Sequence, residues 1–332
     1  MRHMLRRILF YLLALWAAAT LDFVIPRLAP GNPVQIMLGR LQRSGVAISP
    51  GLQKAMEAQF GLNTSDPMWL QYLKYLQNLL TGNWGISLTN SFTPVKDVIG
   101  QGLMWTLSLG LVAVLISFVL GCLFGVIVGW RRGGALDSIF SPGMAFLSAI
   151  PYFWLALILV YLFGFTLRWF PFADGFDTTL DIGWTTDFIL SALYHAILPA
   201  ITLIVASLSG WMLVMRNSMV TTLSEDYVLM AMAKGLKKGR VMFSYAARNA
   251  ILPNVSGFAI ALGSIVGGQL LTEIVFSYPG IGFSLFSAVK NLDYPLIQGI
   301  FFMIALGVLG ANFLADLAYA LLDPRVRQER SA

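Results

Sequence analysis

Charged residues along this chain are spaced so that they leave long apolar windows. No Lys, Arg, Asp or Glu occurs between Asp97 and Arg131, Asp137 and Arg168, Asp187 and Arg216, Arg248 and Glu273, or Asp293 and Asp316. A helix needs about 20 apolar residues to cross a hydrocarbon core of about 30 Å, and each window is long enough. A further segment, from Ile8 to about Ala29, is interrupted only by Asp22 and Arg27 near its far end. The pattern predicts six transmembrane helices. Arg2, Arg6 and Arg7 followed by Ala17-Ala18-Ala19 would also suit a cleaved leader. Apolar residues continue through Phe23, Val24 and Ile25, past the usual leader core, so an uncleaved anchor is the expectation.

Composition agrees with the windows. Hydrophobic residues make up 57% of the chain and charged residues only 11%, with a mean hydropathy of +0.74. Soluble domains carry roughly 25% charged residues. Too little polar material remains to cover a water-facing surface, which argues against a soluble enzyme, a disulfide scaffold or a disordered tail. The single cysteine, Cys122, can form no intrachain disulfide. Of the 22 Lys and Arg residues, 14 fall on the N-terminal side of the membrane under this topology. Both termini are therefore expected in the cytoplasm. The net charge of +6 is then topological and calls for no nucleic-acid partner.

The resulting expectation is an all-α polytopic membrane protein. Residues 1–29 hold the N-terminal transmembrane helix, and residues 30–97 form a large extracytoplasmic helical region. Residues 98–325 form a five-helix core with an inner loop at 217–249 between the fourth and fifth helices, and 326–332 are a cytoplasmic tail. Within 30–97, helical patterning covers Leu52–Phe60 and Trp69–Leu80, and both Ser49-Pro50 and Asp66-Pro67 fit helix starts. This region reads either as an outer cap or as a folded spacer.

Catalytic and metal chemistry is thin. Only His3 and His195 are present, with no Cys/His cluster suited to a metal and no phosphate-binding Gly-x-x-x-x-Gly-Lys-Ser/Thr loop. His195 reads as an interfacial structural residue. Asp22 and Asp316 are the only acids inside expected spans, both near span ends. A secondary transporter usually needs charged relays at mid-depth, and a membrane enzyme needs a converging acid/base set. Glycines at 121, 125 and 129 recur at four-residue spacing, which permits close helix approach.

The inner loop carries more information. Glu225 and Asp226 favour a helix start. A helix over 226–240 would place Ala231 and Gly235 on one nearly bare face, with Lys234, Lys237 and Lys238 as a basic stripe. Such a helix fits a partner's groove, while the alternative is a solvated basic loop. Further on, Ser277-Tyr278-Pro279-Gly280-Ile281-Gly282 predicts a sharp bend. Irregular backbone at membrane depth survives beside protein or a watery cavity. Glu273, Tyr278, Pro279 and Gly280 are accordingly candidates for a pathway or gate, with Glu273 as a simple span-end anchor the alternative.

At this point the chain resembles ABC importer permeases, and more narrowly the first permease subunit of the oligopeptide/dipeptide branch. The resemblance rests on Asp226-Tyr227 with Ala231-x-Ala233-Lys234-Gly235-Leu236 and Arg248-Asn249-Ala250-Ile251-Leu252-Pro253. It is extended by Leu28-Ala29-Pro30-Gly31-Asn32-Pro33, Gly61-Leu62, Gly82-Asn83-Trp84-Gly85-x-Ser87 and His195-x-x-Leu198-Pro199-Ala200. Glu273-x-Val275-Phe276-Ser277-Tyr278-Pro279-Gly280-Ile281-Gly282 and Asp293-Tyr294-Pro295 complete it. The chain departs from the general pattern at Leu229, where an acidic residue is usual, at Asn83-Trp84 and at Met104-Trp105. The resemblance implies a non-catalytic pore subunit in a bacterial or archaeal cytoplasmic membrane. It implies a second homologous permease subunit, two ATPase subunits that carry ATP and Mg, and an extracytoplasmic solute-binding protein. It places coupling to the ATPases at Asp226, Ala231, Ala233, Lys234, Gly235 and Leu236. Peptides are the implied solute, and oligosaccharides, nickel chelates and glutathione are alternatives within the same family.

Overall fold

The computed structural model describes residues 2–28, 67–87, 89–90, 92–267 and 269–322, together with single positions 38, 39, 42, 49 and 51. The expected helix at 52–60, the motifs at 29–33 and 61–62, and the 326–332 tail lie outside the described residues. Among the described residues the chain is helical, with one isolated bridge between Ile86 and Pro94. Among these residues four helices are long and apolar enough to cross a membrane: α1 (Arg2–Leu28), α3 (Val95–Trp130), α6 (Thr186–Thr222) and α12 (Tyr294–Leu322). Two bent pairs bring the count to as many as six. They are α4 (Ala135–Ala149) with α5 (Tyr152–Thr166), bent by 94°, and α8 (Lys238–Ala250) with α9 (Leu252–Gly267), bent by 52°.

The 94° bend has a local cause. Pro151 lacks an N–H and disfavours a helical residue before it. Ile150 is accordingly extended, at φ −78° and ψ 122°. The window from Asp137 to Arg168 is thus a broken element rather than the straight span the charge pattern suggested.

Contacts divide the chain into two compact units. One comprises residues 1–105, 266–270 and 280–332, and the other comprises 106–265 and 271–279, so the boundary falls inside α3.

In the first unit, α2 (Met68–Thr81) occupies the position its sequence signals marked. It begins after Pro67 and ends at Gly82 in the left-handed conformation, φ +73°, where the Gly82 and Asn83 N–H groups return to Leu79 and Asn78. Phe23 on α1 meets Tyr72 and Tyr75 of α2. The Gln298 amide on α12 donates to the Asp22 carbonyl at 2.8 Å. Two motifs more than 200 residues apart meet here. The buried Asp293 accepts from the Ser87 hydroxyl at 2.7 Å and the Thr89 N–H at 2.9 Å, and caps α12 through the Leu296 N–H. Gly85 approaches Pro295, and Trp84 meets Phe302 edge-on. The Ser277–Gly282 segment, of which residues 277–279 belong to the second unit, bends as expected, with Ser277 at φ +48°. In the first unit it leads into an amphipathic helix, α11 (Ile281–Asn291), that the apolar windows alone did not reveal.

The second unit is built on a glycine seam between α3 and α6. A Cβ at Gly121 would lie 2.5 Å from the Trp211 Cβ, one at Gly125 2.5 Å from the Met215 Cβ, and one at Gly129 2.7 Å from the Met219 Cβ. Hydrogen in place of a side chain is what lets these backbones meet. Asn254 on α9 joins the seam, its amide donating to the Trp211 carbonyl and to Cys122 Sγ, both at 3.1 Å. At one end of the seam Arg216 forms a fork with Asp137 at 2.9 and 2.7 Å. Asp137 also accepts from the Gly133 N–H and the Ser141 hydroxyl, so its lone pairs are well used.

Candidate functional site

The segment after α6 is where the sequence motifs cluster. Helix α7 (Asp226–Ala233) starts after Glu225 and runs for 8 residues. It does not continue to 240 as the sequence pattern suggested. Gly235 sits at φ +72°, its N–H bonds to the Met232 carbonyl at 2.9 Å, and the Leu236 N–H returns to the Ala231 carbonyl at 3.4 Å. This is a glycine-closed helix end, in which the residue after the glycine folds back on the last turn. Leu236 does so, packing against the buried cluster beneath. Helix α8 then begins at Lys238, with π-helical turns over Val241–Ala247.

The expected bare face of Ala231 and Gly235 is therefore not formed. Ala231 is 3% exposed and faces inward with Val228, while Gly235 lies beyond the helix, where a Cβ would meet nothing within 4 Å. Val228 and Ala231 share one core with Cys122, Val126, Met215 and Met219 of the seam and Val241, Ala246 and Ala250 of α8. The outward surface of α7 is instead apolar and bulky: Leu229, Met230 and Met232 are 50%, 58% and 42% exposed. Asp226, Ala233 and Lys234 are exposed beside them. The Asn249 amide donates to the Tyr227 hydroxyl at 2.7 Å, tying α8 back to the start of α7.

The second group of candidates is buried. Glu273 lies in α10 (Leu270–Val275), is 0% exposed and accepts from the Thr106 hydroxyl at 2.8 Å. Tyr278 is 2% exposed, and its N–H bonds to the Glu273 carbonyl at 2.8 Å. Pro279 is half-buried and Gly280 buried. In this conformation the Glu273 and Tyr278 side chains are both packed away from the surface. His195 places Nδ1 2.8 Å from the Ser191 carbonyl, one turn back on its own helix.

Sequence reading missed four participants. Val228 was legible as an apolar residue three before Ala231, but the face it buries depends on where the helix stops. Asn254 had no signal beyond being polar within an apolar window. Asp137 and Arg216 served only as window boundaries, and nothing in the sequence pairs two residues 79 apart.

Comparison with known proteins bears on the whole chain. Residues 121–328 match the family described as binding-protein-dependent transport system inner membrane component. The chain is 34% identical to the oligopeptide transport system permease protein AppB of Bacillus subtilis, over 98% of each sequence. It is 36% identical to the di/tripeptide transport system permease protein DppB of Pseudomonas aeruginosa, again over 98% of each. It is 34% identical to the dipeptide transport system permease protein DppB of Escherichia coli K12, over 93% of this chain and 94% of that one. A family match across more than half the chain, with relatives aligned nearly end to end, places this chain in the binding-protein-dependent transport system inner membrane component family.

Proposed function

We propose that this chain is one pore-forming subunit of an ATP-driven peptide importer, and that α7 is the element through which partner ATPases move it. The second permease subunit, the two ATPases with their ATP and Mg, and the solute-binding protein belong to the same proposal. So do six spans with both termini in the cytoplasm. Peptides are preferred as solute because the relatives are named for oligopeptides, di/tripeptides and dipeptides.

One observation carries the mechanical part. The inner face of α7, Val228 and Ala231, lies in the same core as Met215 and Met219 of the glycine seam, while its outer face leaves Leu229, Met230 and Met232 uncovered. A partner that grips the outer face displaces a helix already keyed to two spans. No catalytic residue is needed on this chain for that. What is needed is a partner surface that contacts α7 differently in two states, since only differential contact shifts an equilibrium.

Met230→Glu tests this reading. The change leaves the inward residues untouched and places a charge where an apolar contact is expected. The variant chain should accumulate in membranes at the normal level, lose its ATPases on purification and take up no labelled dipeptide. Full ATPase recovery with normal uptake would refute the assignment. Orientation has its own check: an impermeant thiol reagent should label Asn83→Cys in intact cells and Lys237→Cys only after lysis, and the opposite pattern would invert the topology.

A further inference from the structure

Beside α7 the chain forms a pocket of about 460 Å³ lined by Tyr227, Arg240, Ser244, Tyr245, Arg248 and Asn249. Its chemistry is one-sided. Two guanidinium groups, the Ser244 hydroxyl and two phenols supply donors, and Tyr227 already accepts from the Asn249 amide, which leaves its own O–H to give. Neither Arg240 nor Arg248 has an acidic partner among the described residues, whereas Arg216 nearby in sequence is fully forked onto Asp137. Two unneutralised cations facing one concavity repel each other unless an anion joins them. Guanidinium groups, with several N–H donors in fixed geometry, match the oxygens of a phosphate.

The location narrows the source of that phosphate. Arg240 and Arg248 belong to α8, which together with α9 passes as one bent membrane-spanning pair. Along the same pair Phe243, Leu252, Val255 and Ile260 are 48%, 62%, 45% and 55% exposed. A soluble phosphate gains nothing from these side chains. A lipid gains a headgroup contact at the arginines and acyl-chain contacts beyond them, and basic pockets at the ends of spans commonly hold acidic headgroups. We propose that the Arg240/Arg248 pocket binds the phosphate of an anionic glycerophospholipid. Because Tyr227 lines the pocket, a bound headgroup would also steady the start of α7.

The experiment needs neither transport nor ATPase partners, so it can fail or succeed independently of the coupling assignment. The full chain, purified in neutral detergent, is titrated with phosphatidylglycerol and the bound lipid counted by native mass spectrometry. A saturable site is expected, weakened roughly tenfold by Arg240→Gln or Arg248→Gln, as loss of one charge-assisted contact implies. Arg131→Gln, which removes an exposed cation elsewhere, should leave the site unchanged, and Arg248→Lys should recover part of the affinity. Millimolar inorganic phosphate should not displace the lipid. Equal binding by the pocket variants, or equal weakening by Arg131→Gln, would overturn the proposal. Displacement by inorganic phosphate would assign the pocket to a soluble anion instead. Absence of any saturable lipid site would overturn the proposal as well. Should Arg248→Gln prove unfolded by its thermal transition, the Arg240→Gln and Arg248→Lys results decide.

Discussion

The glycine seam between α3 and α6 and the short helix α7 lie in the same compact unit, yet they are finished in opposite ways. The seam is complete within the chain. Three glycines meet Trp211, Met215 and Met219 at backbone range, and an Asn254 amide and an Arg216–Asp137 fork close its ends. Helix α7 is completed on one side only. Val228 and Ala231 join the seam's core, while Leu229, Met230 and Met232 stand open. A sealed surface resists any change in spacing, and an open apolar one asks for a partner. Their shared core is what would let a contact made at one be felt at the other.

Breaking the seam should have the largest effect. At Gly125 a first side-chain carbon would already lie 2.5 Å from the Met215 Cβ and 2.7 Å from the Met212 carbonyl oxygen, so backbone rather than a flexible side chain would have to yield. Gly125→Leu should therefore exceed the roughly 1–3 kcal/mol of ordinary overpacking. Little variant chain should remain in membranes by immunoblot, and what remains should aggregate on size-exclusion chromatography. A monodisperse, normally abundant Gly125→Leu chain would show that the seam is looser than described.

A smaller and more local effect is expected at Gly235. Its surroundings are empty, so bulk there clashes with nothing inside the chain, but φ +72° is strained for an L residue by roughly 1–2 kcal/mol. Gly235→Val should fray the end of α7 and lower peptide uptake while the thermal transition of the chain barely moves. Gly235→Asn, which tolerates the left-handed region, should keep most of the uptake. Equal uptake in the valine and asparagine variants would remove the helix-end role of this glycine.

These two glycine sets also show what the sequence made legible. The 121/125/129 spacing announced close approach because small residues every fourth position on a long helix have few other uses, and the structure supplies the opposing residues at the same spacing. The charge-free windows located the apolar helices for a similar reason, since a charge inside hydrocarbon is costly. Gly235 was misjudged because a glycine after Ala231 and Lys234 fits both a small-residue face and a helix stop. Only the Ala231–Leu236 return bond separates them. The Ile150-Pro151 break was visible as a proline, but its angle depends on what the two halves pack against. Glu273 is legible as an acid beside a turn, but its burial against Thr106 depends on a residue 167 positions away.

The central claim is that α7 presents its Leu229–Met232 side to an ATPase and its Val228–Ala231 side to its own chain. Single cysteines at Met230, Met232 and Ala231 in the assembled transporter, treated with a short thiol-to-amine crosslinker, test it directly. Native Cys122 can be kept, because it is 5% exposed and out of reach. Crosslinks to the ATPase subunit are expected from positions 230 and 232 and not from 231. A crosslink from Ala231→Cys with none from Met230→Cys would contradict the claim, because the helix would then face its partner with the side assigned here to the core.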